Sequence, residues 1–150
     1  MARLKTGAEH IASLKDGRQV YLNGGAVGDV EQHRAFRNSV RSVGALYDFH
    51  ADARNAKLMT QDGANRMWQL PTSYAELVER RAALEAWAEL HGGFLGRSPD
   101  HVASCISGMF MGLPVFESYD PKRAGALADY YRHARDNDLY LTYVIINPQA

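Results

Sequence analysis

Cysteine is nearly missing from this chain. Cys105 is the single one among 150 residues, which excludes an internal disulfide and any multi-cysteine zinc or iron–sulfur centre built from the chain alone. No apolar run approaches the ~20 residues of a membrane span, and the N-terminus lacks the apolar core of a signal peptide. A surplus of one charge is missing too: 17 Lys and Arg balance 17 Asp and Glu. That balance argues against a broad electrostatic footprint for nucleic acid or an anionic membrane. A soluble, cytoplasmic protein is expected. The six histidines include no H-E-x-x-H pair, so no metal site is expected. Gly24-Gly25-Ala26-Val27-Gly28 lacks the dinucleotide fingerprint, and Ser104 and Ser107 have no G-x-S-x-G elbow.

What is present is an ordinary globular composition, with 46% apolar and 23% charged residues, and enough length for one domain. Thr6-x-x-Glu9 is a capping box that opens a helix through about Lys15. Asn23-Gly24 marks a hairpin of Arg18–Leu22 with Ala26–Val30. Phe36, Val40, Val43 and Tyr47 recur at helical spacing, predicting a helix from about Gln32 to Phe49. The stretch 50–71 reads as polar and irregular. Ser73-x-x-Glu76 caps a helix with Leu77, Leu84, Trp87 and Ala88 on its apolar face, ending near His91-Gly92-Gly93. Ser98 and Pro99 open another helix, whose apolar side is Val102, Cys105, Ile106, Met109 and Leu113, with Cys105 expected as a buried, inert thiol. Asp120-Pro121 starts a helix to about Asp136, with Ala124, Leu127, Tyr131 and Ala134 on one side. Tyr140–Ile146 is β-branched and aromatic and reads as a terminal strand. A lone strand needs a partner for its backbone groups, so the chain is expected to be cut from a longer one. The fold class is mainly α, with a small β-hairpin and a terminal strand.

Two segments carry polar chemistry. Arg97 and His101 lie four residues apart where Ser98 opens a helix, and a helix N-terminus favours an oxyanion such as a phenolate or carboxylate. Thr142, Tyr143, Asn147 and Gln149 place hydroxyl, phenol and amide groups along and beyond the terminal strand, where scaffolds often present ligand contacts. The same residues also suit a surface arginine beside a capped helix, and a core strand ending in an Asn147-Pro148 turn. Glu79-Arg80-Arg81 reads as a solvated helix face.

The chain resembles the N-terminal region of the 4-hydroxyphenylacetate 3-hydroxylase family, the oxygenase component of two-component flavin monooxygenases. The resemblance is carried by Thr6-Gly7-Ala8-Glu9, by Leu14 to Gly24, by Phe36 with Leu46-Tyr47-Asp48, by Gly96-Arg97-Ser98-Pro99-Asp100, and by Asn137-Asp138-Leu139 running into Asn147-Pro148-Gln149. It implies the N-terminal helical domain of an acyl-CoA dehydrogenase-like flavoprotein, followed in a longer chain by a β-rich middle domain and a C-terminal helical bundle. It also implies a homotetramer, FAD supplied as FADH2 by a separate flavin reductase, and O2 activated as a flavin C4a-hydroperoxide that hydroxylates a phenolic substrate ortho to its oxygen. Arg97 matches the family arginine that approaches the phenol, with Ser98, His101 and Tyr143 beside it. Tyr143, Asn147 and Gln149 fall where flavin contacts begin. Two positions depart: many phenol hydroxylases of the family carry tyrosine at His101 and histidine at Tyr143, so phenol and imidazole are exchanged between the two edges.

Two other readings differ in class. A flavin and iron–sulfur dehydratase of hydroxyacyl-CoA would need cysteine ligands where this chain has Arg97 and His101. A free-standing assembly module would need no chemistry at all.

Overall fold

The computed structural model describes residues 3–93 and 99–142. Its elements run α1 (Gly7–Ser13), β1 (Val20–Leu22), β2 (Gly25–Val27), α2 (Arg37–Ala51), α3 (Ala56–Met59), β3 (Thr60–Gln61), β4 (Ala64–Asn65), α4 (Tyr74–Leu90), α5 (Pro99–Met111), α6 (Leu113–Tyr119) and α7 (Pro121–Asp136). Each strand pair is an isolated antiparallel hairpin, so helices supply the framework.

Local signals fix the starts of α1, α4 and α7. Thr6 Oγ1 accepts from the Glu9 N–H at 3.2 Å while the Glu9 carboxylate accepts from the Thr6 N–H at 2.8 Å. Ser73 and Glu76 repeat the exchange at the head of α4. The Asp120 carboxylate accepts from the Lys122 and Arg123 N–H groups, with Pro121 leading α7. The β1–β2 turn holds Asn23 at φ 51° and Gly24 at φ 79°, the left-handed pair that a tight hairpin requires.

The core departs from the predicted pattern in instructive ways. The second helix begins at Arg37, because residues 29–36 form turns in which the Phe36 N–H donates to the His33 carbonyl. Its buried face is Gly44, Leu46, Tyr47 and His50. The hairpin strands are also shorter than expected, at three residues each. Gly112 breaks the apolar run after α5 and a separate α6 follows, with Pro114 in its first turn.

The stretch 50–71, read as polar loop, is the centre of the molecule. It folds into 3₁₀ turns at Ala53–Asn55 and Arg66–Trp68 around α3 and the β3–β4 hairpin. It contributes Met59, Met67 and Trp68 to a core shared with Leu46, Ala83, Trp87, Ala103, Tyr131 and Ala134. Burying each such large apolar side chain stabilises by about 1.5–3 kcal/mol. Arg66 can lie here because all its N–H donors are used. Nε bonds the Leu58 carbonyl, Nη1 bonds Gln69 and Glu79, and Nη2 bonds the Lys57 and Thr60 carbonyls, all between 2.8 and 3.2 Å.

Two helical faces turn differently from expectation. On α4 the inner stripe is Ala83 and Trp87, whereas Leu77 is 51% exposed and Ala88 is exposed. On α5 the buried residues are Ala103 and Ser107, and Cys105 is exposed rather than buried. Small side chains let α5 approach the core, and Cys105, two positions from Ala103, is rotated to the far side. The α7 stripe holds: Ala124, Tyr131 and Ala134 are buried and Leu127 is half-buried. Tyr140–Thr142 pairs with no strand, and the rest of the predicted terminal strand lies outside the described residues.

α1 seats on α2 through two glycines. A Cβ at Gly7 would stand 2.4 Å from the Gly44 carbonyl oxygen and 2.6 Å from the Asp48 carboxylate, and the Gly7 N–H donates to Asp48 Oδ1 at 2.7 Å. Gly7→Ala should therefore cost about 1–3 kcal/mol of unfolding free energy. Gly28→Ala, with nothing within 4 Å of its Cβ, should stay within about 0.5 kcal/mol. Urea denaturation of both variants checks this, and wild-type stability in Gly7→Ala would contradict the close approach.

Candidate functional site

Of the residues singled out in the sequence, His101 lies half-buried in the first turn of α5. Arg97, Ser98, Tyr143, Asn147 and Gln149 lie outside the described residues. The structure does describe what leads into both edges: the start of α5 at Pro99–His101, and the segment Leu139–Thr142 that leaves α7.

The described ends of these two edges lie near one another. Burial first, and the Asp100 carboxylate second, push the Tyr140 phenol above its ordinary range. Asp100 from α5 and Tyr140 from the outgoing segment are therefore electrostatic neighbours. Leu139 and Leu141 pack onto the same core that holds Ala103 of α5. The 13-residue α5 begins beside this junction, where its positive N-terminal end is partly offset by the first-turn Asp100 carboxylate.

Arg80, which the sequence reading assigned to a solvated face, is the brace under α5. Its Nη2 donates to the Met67 carbonyl at 2.8 Å and to Ser104 Oγ at 2.6 Å. Burial holds its guanidinium below the usual arginine range, and the Asp100 charge opposes that shift. The signal was available in the spacing: Arg80 precedes the buried Ala83 and Trp87 by three and seven residues.

The outgoing segment is anchored by Asp138, 1% exposed and held at φ 45°. Its Oδ2 accepts from the Lys5 N–H at 3.0 Å and lies 2.8 Å from His50 Nε2. Its Oδ1 accepts from Asn65 Nδ2 at 3.3 Å, and its carbonyl accepts from the Tyr47 hydroxyl at 2.9 Å. An ionised carboxylate only accepts, so the His50 hydrogen sits on Nε2, and Nδ1 accepts from Asn65 Nδ2 at 3.3 Å. Asn65 Oδ1 takes the Met67 N–H at 3.1 Å, which leaves the amide fully used. Burial above all, with the Asp138 charge adding, raises the Tyr47 phenol far above its usual range, so it remains a donor. His10 stacks on Tyr47 with ring centroids 4.3 Å apart. Nothing local in the sequence marks this hub, because Lys5, His50 and Asn65 are distant from Asp138 along the chain. Among the described residues no group of three or more His, Cys, Asp or Glu side chains could hold a metal ion, and no helix is long and apolar enough to cross a membrane.

With this geometry in view, the comparisons with known proteins are specific. Residues 6–150 match the model of the 4-hydroxyphenylacetate 3-hydroxylase N-terminal region. The chain is 41% identical over 149 residues to the pyoverdin chromophore biosynthetic protein PvcC of Pseudomonas aeruginosa, covering 97% of this chain and 29% of that one. It is 40% identical over 153 residues to the oxygenase component of 4-nitrophenol 2-monooxygenase from a Rhodococcus species, again covering 97% and 29%. The solved oxygenase component of 4-hydroxyphenylacetate 3-monooxygenase, complexed with FAD and 4-hydroxyphenylacetate, superposes with a TM-score of 0.81 at 30% identity, over 95% of this chain and 31% of that one. The chain thus spans about three tenths of the length of the relatives it matches.

Removing the Asp138 carboxylate should leave the Lys5 N–H, His50 and Asn65 donors buried without their acceptor. Asp138→Ala is expected to lose about 3–5 kcal/mol in urea denaturation, while Asp138→Asn loses less because asparagine tolerates the left-handed backbone and keeps one acceptor. Wild-type stability in Asp138→Ala would contradict the anchoring role.

Proposed function

The chain belongs to the 4-hydroxyphenylacetate 3-hydroxylase family, and from that premise we propose that it is the N-terminal part of an FADH2-dependent oxygenase that hydroxylates a phenol ortho to its oxygen, using O2. The observation that carries the reading is the juxtaposition of the α5 N-terminus with the segment leaving α7, expressed in the Asp100–Tyr140 interaction. Such a pairing suits a phenol site, with a helix N-terminus on one side and aromatic and hydroxyl groups on the other, and it needs the Arg97 cation to offset the Asp100 carboxylate before a phenolate is favoured.

On this reading Arg97, one residue before Ser98 and two before the first residue of α5, holds the phenolate oxygen. A guanidinium favours the ionised phenol, which is the more nucleophilic form. Ser98 donates its hydroxyl hydrogen toward the same oxygen. His101 and Tyr143 relay the phenolic proton, with imidazole and phenol on the opposite edges from those of many relatives. Because an imidazole titrates near 6.5 and a phenol near 10, this exchange also points away from 4-hydroxyphenylacetate as the preferred phenol.

Tyr143, Asn147 and Gln149 would hold the flavin. That donor set, one phenol and two amides with no charged cradle and no dinucleotide fingerprint, fits a cofactor that is exchanged rather than resident. Reduced flavin, delivered by a separate reductase, supplies the oxygen-activating chemistry when bound. The full protein on this reading is acyl-CoA dehydrogenase-like, with a β-rich middle domain, a C-terminal helical bundle and a tetrameric assembly. Apolar side chains on this chain suit such cover: Tyr119 is 87% exposed and Val115 62%.

Arg97→Ala in the full-length oxygenase should raise the KM for the phenol about tenfold to a hundredfold, the cost of one charged hydrogen bond. Product per NADH should fall, while NADH oxidation by the reductase stays the same. Unchanged coupling would sink the assigned role.

A further inference from the structure

A cavity of about 500 Å³ opens between α1, α2 and the Leu139–Thr142 segment. It lies on the α1 side of that segment, and no acidic residue lines it. Val40, Val43 and Leu139 give it an apolar floor, Tyr140 an aromatic wall, and Ser39 and Thr142 hydroxyls at its margin.

Two basic groups there have open valences. The Lys5 ammonium has no carboxylate within 4.0 Å among the described residues, and Lys5 bonds Asp138 through its main-chain N–H instead. Arg18 also lines the cavity but is engaged by Asp16. His10 is 9% exposed, with its ring face on Tyr47 and its centroid 6.0 Å from that of Tyr140. Neither His10 ring nitrogen has a hydrogen-bond partner among the described residues, nor is either among the buried orphan atoms. The ring edge is therefore turned to open space, and His10 lines this cavity. Burial first and the Lys5 charge second hold the imidazole below its usual range, so it meets a ligand as an uncharged donor. A buried polar side chain that stays unpartnered is uncommon in a finished structure.

We propose that this cavity is a second ligand site, for a small aryl carboxylate. Its carboxylate rests on the Lys5 ammonium and a His10 N–H, and its ring lies on Tyr140 and the Val40–Val43 floor. An amphipathic anion is the ligand that uses both the unpaired cation and the apolar floor. A neutral apolar ligand leaves Lys5 and His10 unanswered, and a phosphate leaves the floor bare. Thr142 lines the cavity and the chain continues from it to Tyr143, so occupancy bears directly on the segment that feeds the proposed phenol site.

The test uses full-length protein and phenylacetate, which has no phenol to be hydroxylated, titrated by calorimetry. In an Arg97→Ala background phenylacetate should still bind. Adding Lys5→Gln should weaken that binding about tenfold or more, the loss expected for one charged hydrogen bond. Adding Val43→Trp should abolish it by filling the floor. Among the described residues the Lys5 ammonium has no carboxylate partner, so Lys5→Gln should retain the fold, which thermal melting checks. Absence of binding up to about 10 mM, a free energy near −3 kcal/mol, overturns the proposal, as does binding that Lys5→Gln leaves untouched. If the role given to Arg97 is the part that fails, Arg97→Ala leaves phenol KM unchanged while Lys5→Gln still decides the second site.

Discussion

The Asp138 carboxylate is buried to 1% exposure and is held by donors from three distant parts of the chain: the Lys5 backbone, His50 of α2 and Asn65 of β4. A buried carboxylate lacking such partners costs several kcal/mol, so the three segments and the end of α7 form as one unit. The left-handed backbone at φ 45° turns the chain out of the helix at that point, and the Tyr47 hydroxyl secures the carbonyl. Leu139, Tyr140 and Leu141 then have no freedom to settle elsewhere. Arg66 solves the opposite problem in the same core, a buried cation with every N–H answered. Both ions are satisfied by networks that join non-adjacent elements, which makes the packing specific as well as stable.

What the sequence disclosed follows from the range of each interaction. The caps at Thr6, Ser73 and Asp120 and the Asn23-Gly24 turn act across two to four residues, and each element starts or turns where they stand. The burial of Asn65 and Arg66 could not be read, because their partners lie on α2, α3, β3, α4 and at Asp138 beyond α7, and the residues look polar in isolation. Cys105 failed for a related reason. Counting bulky apolar side chains along α5 selects the wrong face when alanine and serine line the close contact. Arg80 was misassigned although its spacing to Ala83 and Trp87 carried the signal. As for the site, the sequence named its two edges, and the structure brings Asp100 and Tyr140 into electrostatic reach; the residues given chemical roles, apart from His101, lie outside the described part.

On the proposed reading, this small helical unit carries part of the substrate site of a flavin oxygenase. Arg80 and Ala103 fix α5 against the core, and the helix N-terminus contributes a positive field at that edge. The facing segment is pinned by Asp138 at one end and runs free of strand pairing to Thr142. On the proposed reading the fixed α5 edge orients the phenol and the other edge accepts the flavin. The fold also leaves the α1 side of the same segment hollow, where the Lys5 ammonium and the His10 ring nitrogens have no hydrogen-bond partner among the described residues.

Isotopic labelling tests the oxygenase chemistry most directly. Full-length protein containing this chain, given reduced FAD, a phenol substrate and heavy-isotope O2 in ordinary water, should return an ortho-hydroxylated product carrying one labelled oxygen atom. A product whose new oxygen comes from water, or a phenol recovered unchanged while reduced flavin is consumed across a panel of phenols, would contradict it.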